Sequence, residues 1–403
     1  MTDSTAVLEP VPLARDARII ALIGVAHGLS HFFHLIIAPL FPWLKAEYGY
    51  SYAELGFVMT VFFIVSGTCQ TLAGFVVDRF GAGGTLIGGL SCLTIGALVL
   101  ALGDSYPMLL LGAAIAGLGN CVFHPVDFSL MNARVSVPRL GPAYSVHGLT
   151  GSLGWAFAPV FLVGLATPFG WRNALFAAAV LPLVMIAVLM MNRDVLFDDG
   201  DAHEARTAAA ADDAPVLAFL AKPEIWWCFA FFVFVSAAIG AGQNFAPTIF
   251  GALYALDVPS AAMSVTTMML ASALGMGFGG WLVLRSRHLE RNITAALAVG
   301  VLGAIVIGVG AAPPGLAFVL IGIMGFGIGL SGPSRDMLIR RATPPGATGR
   351  VYGVVYSGLD VGIAVAPVAF GGMIDSGYVA EVFYGVALCL LLAIVTAWRV
   401  SRA

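Results

Sequence analysis

NRDVLFDDGDAHEARTAAAADDAPVLAFLAKPE, residues 192–224, is the one long hydrophilic run in a chain of 403 residues, and its place in the middle decides the architecture. It is acidic and Ala-rich, too polar to cross lipid, and reads as a linker. On either side the sequence turns to apolar runs. A bilayer core needs roughly 20 apolar residues in helix. Six such segments precede the linker, at 18–44, 54–77, 82–103, 107–132, 141–166 and 172–192. Six follow it, at 223–250, 259–284, 293–312, 315–339, 350–373 and 379–398. The expected fold is an all-α membrane protein with twelve transmembrane helices in two pseudo-symmetric six-helix bundles. Its parts are a tail at 1–17, a bundle at 18–192, a linker at 193–222, a second bundle at 223–399 and a tail at 400–403.

Composition agrees with a chain that lives in lipid. It is 60% hydrophobic and 10% charged, with mean hydropathy +0.95, whereas a soluble domain is about a quarter charged. Its 49 glycines suit close helix packing in a bilayer, where small residues let backbones approach. A net charge of −3 argues against a nucleic-acid binder or a cationic surface protein. Cys69, Cys92, Cys121, Cys228 and Cys389 all fall inside apolar segments, which excludes a disulfide framework. The polar start, MTDSTAVLEPVPLARDAR, carries no cleavage pattern of a removable signal. Of the 19 lysines and arginines, all but Lys45, Arg172 and Arg335 fall on one side when both termini are placed in the cytoplasm. The positive-inside rule therefore predicts cytoplasmic N- and C-termini. The expected location is a bacterial-type cytoplasmic (inner) membrane, with the chain working as a monomer.

The two halves repeat. Adding 208 to a position turns Ala38-Pro39 into Ala246-Pro247 and Pro125 into Pro333. It also turns Gly141 and Tyr144 into Gly349 and Tyr352, and Ala158-Pro159-Val160 into Ala366-Pro367-Val368. A constant offset across three pairs of segments predicts two similar bundles with a site between them.

These features resemble the major facilitator superfamily, which has two repeated halves. Gly74, Asp78, Arg79 and Gly81 form G-x-x-x-D-R-x-G between segments 2 and 3, similar to that family's signature, and Gly170-Trp171-Arg172 opens segment 6 in a way common there. Within the superfamily the chain resembles the fosmidomycin-resistance-like efflux branch. The carriers are His27, LKAEYGYSYAELG at 44–56, Phe123-His124-Pro125 and the glycine-studded run from Ser145 to Pro159. The resemblance implies a secondary transporter whose segments 1, 4, 7 and 10 line a central cavity, and it tilts the direction toward efflux. It implies a cytoplasmic gate at Gly74, Asp78, Arg79 and Gly81. Two departures stand out. Where that branch has an acidic residue four positions after the segment-1 His, this chain has His31; where it has Glu after FHP, this chain has Val126 and then Asp127. The branch's drug substrates are not carried over.

HGLSHFFH, residues 27–34, places His27, His31 and His34 at i, i+4 and i+7, one stripe of a helix. Segment 4 adds Cys121, His124 and Asp127, and segment 5 adds His147. Ionisable groups inside a membrane are costly and mark substrate or proton paths. An imidazole titrates near pH 6.5 and so changes charge in the physiological range. The second half offers Gln243, Asn244, Arg335, Asp336 and Asp360 instead, with Val235, Ile239 and Gly242 standing where the segment-1 histidines would be. The preferred expectation is a proton-coupled transporter of a small solute that needs no cofactor. Its partners are a small-molecule or ion substrate, protons and the bilayer. Its coupling and substrate residues are His27, His31, His34, His124, Asp127, His147, Gln243, Asn244, Arg335 and Asp360. The alternative is a transition-metal or metal-chelate transporter with His27, His31, His34, Cys121 and His124 as ligands, since imidazole suits Zn, Cu, Ni and Fe. A membrane metalloenzyme would need several histidine boxes where this chain has one. Without a Walker loop an ATP-driven pump is excluded.

Overall fold

A computed structural model describes residues 12–136, 139–196, 221–283, 285–286, 288–342 and 348–402. Most of the expected linker therefore lies outside the described residues. The described chain is helical throughout: α1 Leu13–Phe33, a 3-10 turn Ala38–Leu40, α2 Phe41–Tyr48, α3 Tyr52–Phe80, α4 Ala82–Leu102, α5 Tyr106–Asn120, α6 Phe123–Arg134, α7 Leu140–Phe169, α8 Trp171–Met191 and α9 Arg193–Leu196. The second half continues as α10 Pro223–Tyr254, α11 Val258–Val283, α12 Leu289–Gly308, α13 Pro314–Ala342, α14 Thr348–Asp375 and α15 Val382–Arg402. Twelve of these stretches are long and apolar enough to cross a membrane, with α1 to α2 forming one span and α5 to α6 another.

Two spans expected as single helices are broken. In span 1, Pro39 and Pro42 remove backbone donors, so α1 stops at Phe33 and the chain resumes through the 3-10 turn. The second half keeps Pro247 but has Phe250 where the first has Pro42, and α10 runs through unbroken. In span 4, Pro125 removes the donor that would reach the Cys121 carbonyl, and the helix parts between Asn120 and Phe123.

The family-like motifs have structural reasons. LKAEYGYSYAELG turns at Gly49 with φ +74°, a left-handed conformation that glycine adopts freely. Ser51 and Glu54 then form a capping box that starts α3. Glu47 accepts from the Trp171 indole N–H and the Arg172 guanidinium, both at 2.7 Å, tying span 1 to span 6. At the opposite end of span 1, buried Asp16 accepts from Arg139 at 2.7 Å and from the Ser136 hydroxyl, joining α1 to the start of α7.

The halves meet along two seams, α3 against α14 and α7 against α11. Glycines set the closeness: a Cβ on Gly56 would lie 2.4 Å from the Pro367 carbonyl oxygen, and one on Gly371 would lie 2.7 Å from that of Tyr52. Hydrogen bonds across the seams gather toward the end holding the α2–α3 connection. There the Asp375 carboxylate accepts from the backbone N–H of Tyr52 (3.0 Å) and of Ala53 (2.8 Å), capping α3 from the other half. Deeper in, Thr60 donates to the Ala364 carbonyl and Thr266 to that of Ala156.

Candidate functional site

The cluster forms where α1, α6 and α7 come together. His27 and His31 lie one turn apart on α1, His34 caps its end, His124 and Asp127 lie on the first turns of α6, and His147 lies on α7. Asp127 is fully buried at 0% exposure. Its Oδ2 accepts from His147 Nε2 at 3.0 Å, and His27 Nδ1 lies 3.0 Å from the same oxygen. The His27 contact has the distance of a charge pair without the alignment of a hydrogen bond. The two rings stack, with centroids 3.5 Å apart. One carboxylate oxygen thus serves two imidazoles in a lipid-embedded core.

The remaining histidines are held differently. The Trp155 indole N–H donates to His34 Nδ1 at 3.2 Å, which leaves the proton on Nε2 to be given to Asn120 Oδ1 at 3.1 Å. Asn120 in turn donates to the Ser66 hydroxyl at 2.8 Å. His124 gives its Nδ1 proton to Gln70 Oε1 at 3.3 Å. His31 is 9% exposed, stacks on His34 at 4.7 Å and leans on Trp155 at 4.3 Å. Both of its ring nitrogens are buried without a hydrogen-bond partner.

This packing needs missing side chains on α7. A Cβ on Gly154 would lie 2.0 Å from the Gly28 carbonyl oxygen, so α1 and α7 touch backbone to backbone. A Cβ on Gly151 would lie 2.7 Å from His31 Nδ1 and 3.1 Å from His27 Nε2. The two rings therefore pack against α7 in room that only glycine leaves them.

His27, His31, His124, Asp127 and His147 come together as the sequence suggests, while His34 joins an amide chain beside them. Cys121 does not take part: its thiol bonds the Leu118 carbonyl at 3.0 Å within its own turn. The second-half candidates stay in their own half. Gln243 donates to Met269 Sδ at 3.4 Å and Asn244 to the Gly240 carbonyl at 2.7 Å. The Arg335 guanidinium pairs with Asp336 at 3.0 Å and lies 4.5 Å over the Phe232 ring. Asp360 alone reaches the seam, where a Cβ on Gly67 would lie 3.0 Å from its own Cβ. Of the expected gate, Gly81 ends α3 with φ +76°, donating to the Val77 carbonyl at 2.9 Å. Gly74, Asp78 and Arg79 fall on the last turns of α3, and the side chains of Asp78 and Arg79 lie outside the described residues.

Sequence reading missed Asn120, Gln70, Ser66 and Trp155, which hold the rings. The available signal was an isolated amide inside an apolar span, where a polar side chain needs a partner.

The comparisons agree with this architecture. The Major Facilitator Superfamily profile matches residues 23–367. The chain is 30% identical over 172 residues to the fosmidomycin resistance protein of Escherichia coli (strain K12), a match covering 42% of each chain. The chain thus spans less than half the length of that relative. It is 26% identical over 385 residues to the uncharacterized MFS-type transporter YfnC of Bacillus subtilis (strain 168), covering 93% of this chain and 91% of that one. A crystal structure of a bacterial homolog of the human lysosomal transporter Spinster, inward-facing and unoccupied, shares the fold. It has TM-score 0.79 at 14% identity and covers 97% of this chain and 98% of that one. Twelve membrane-length helices, a repeated half and a profile match across most of the sequence place this chain in the Major Facilitator Superfamily.

Proposed function

We propose that this protein is a proton-coupled secondary transporter that exports a small solute by alternating access. In this reading it sits in a bacterial-type cytoplasmic membrane as a monomer with both termini in the cytoplasm. The observation that carries the coupling is Asp127, a buried carboxylate contacted at one oxygen by His27 and His147. Gain or loss of a proton there changes the charge of a group set in hydrocarbon, an electrostatic change of a few kcal/mol or more. The change reaches the seams directly. His147 and Gly151 lie on α7, which packs on α11, and Gln70, partner of His124, lies on α3, which packs on α14.

The lysine and arginine distribution supports assigning the capped end at Asp375 to the outside. Gly74, Asp78, Arg79 and Gly81 then form the opposite, cytoplasmic gate. Similarity to the fosmidomycin resistance protein supports the outward direction.

Proteoliposomes with an imposed pH gradient and a solute panel led by fosmidomycin test the coupling. Asp127→Asn keeps the shape and removes the charge. Gradient-driven accumulation and the accompanying proton flux, read with a pH-sensitive dye, should be lost. Gradient-driven transport by Asp127→Asn at the wild-type rate would overturn the reading.

A further inference from the structure

We infer that His27, His31 and His124 form a binding site for a first-row divalent transition-metal ion, and that such an ion is the cargo. The inference rests on the transporter reading above and names its substrate class. One ring nitrogen from each of the three lies within 4.8 Å of the other two. His31 supplies the strongest sign of a ligand, because a buried imidazole with neither nitrogen bonded leaves polar atoms unsatisfied.

The other two rings each set Nδ1 beside a side-chain oxygen, by a hydrogen bond at His124 and by a charge contact at His27. Metal-binding histidines commonly direct the non-ligating nitrogen to a carboxylate or amide oxygen, which fixes ring and tautomer. His27 turns Nδ1 toward Asp127, and His124 donates from Nδ1 to Gln70. Each therefore keeps Nε2 for an ion. A Cβ on Gly151 would crowd both His31 Nδ1, at 2.7 Å, and His27 Nε2, at 3.1 Å, so the two rings keep this arrangement only with glycine there. Zinc–nitrogen bonds of about 2.0–2.1 Å put tetrahedral ligand atoms about 3.4 Å apart, so the rings need to close by little more than about an ångström.

Imidazole donors select Zn, Cu, Ni, Co and Fe over Mg or Ca. Three protein ligands leave a fourth position open, which suits an ion that must depart. The donor set differs from the one read from sequence: Cys121 is bonded to its own helix turn, and His34 is committed to Trp155 and Asn120.

The test titrates purified full-length protein in detergent with Co2+, read by its visible absorption, and displaces it with Zn2+ by calorimetry. Wild type should show one tetrahedral-type Co2+ site. His31→Ala should lose it, and Gly151→Ala should lose it with all donors present. Gln70→Leu, which frees the His124 ring, should weaken it by about 10–100-fold. His288→Ala, on the connection before α12, should bind as wild type. Absence of Co2+ and Zn2+ binding in wild type overturns the inference, as does wild-type affinity in both Gly151→Ala and Gln70→Leu. Failure to bind metal alongside Asp127-dependent proton coupling would remove this inference and leave the proposed function standing. Metal binding in a protein whose Asp127→Asn variant transports normally would do the reverse.

Discussion

His34 accepts from Trp155 and donates to Asn120, so both nitrogens are used and a second proton would cost the indole bond. Its neighbours on the same stripe are held less completely: His27 Nδ1 and both His31 ring nitrogens are buried without a hydrogen bond. Asn120→Leu should leave His34 and Ser66 with unmet polar atoms inside the bundle. The expected loss is about 1–3 kcal/mol of stability, seen as a lower melting temperature in detergent. Co2+ binding at His27, His31 and His124 should survive in the fraction that folds. A variant as stable as wild type would mean that Asn120 does not hold the ring.

Among elements, α1 and α7 meet backbone to backbone along a glycine face, with ring contacts such as His27 on His147 and His31 on Trp155 beside it. Gly28 meets the Thr150 carbonyl region, and Gly154 meets the Gly28 carbonyl. Gly154→Ala should force the helices apart, at a cost of about 1–3 kcal/mol for overpacking. Gly164, further along α7, has nothing within 4 Å of an added Cβ. Gly164→Ala should therefore be neutral or gain up to about 1 kcal/mol from helix propensity. Thermal melts of the pair check the contrast, and equal effects would contradict the assigned contact.

For the whole molecule, the decisive feature is a capped end where the halves are clamped. Asp375 from α14 completes the capping of α3 begun by Ser51 and Glu54, so parting the halves there uncovers the N–H groups of Tyr52 and Ala53. Beside it lies a cavity of about 470 Å³ lined by Pro42, Lys45, Tyr52, Thr248 and Asp375. Removing a helix cap costs about 0.5–2 kcal/mol, and about 1 kcal/mol is roughly a fivefold shift in a two-state equilibrium. Asp375→Ala should raise labelling of a Thr248→Cys reporter by a membrane-impermeant maleimide, in a background lacking the native cysteines. Unchanged labelling would show that the cap does not hold this end closed.

Much of this was legible in the chain itself. Hydrocarbon length fixes the number of spans, because nothing but a helix satisfies its own backbone in lipid. The hydrophilic run at 192–224 and the 208-residue offset divide those spans into related halves. Costly histidines and an aspartate mark the half that carries the buried titratable cluster, since polar groups enter such segments only when something requires them. Tertiary structure decided which of those groups share a job. Helical spacing put His34 with His27 and His31, and Cys121 with His124 and Asp127, but periodicity assumes an unbroken helix. Pro39 and Pro42 in one span and Pro125 in the other break it just there. Whether His31 is satisfied, and whether Gly151 leaves room before it, depends on a neighbour well over a hundred residues away. That contact is a matter of how close two backbones approach, and no local pattern encodes it.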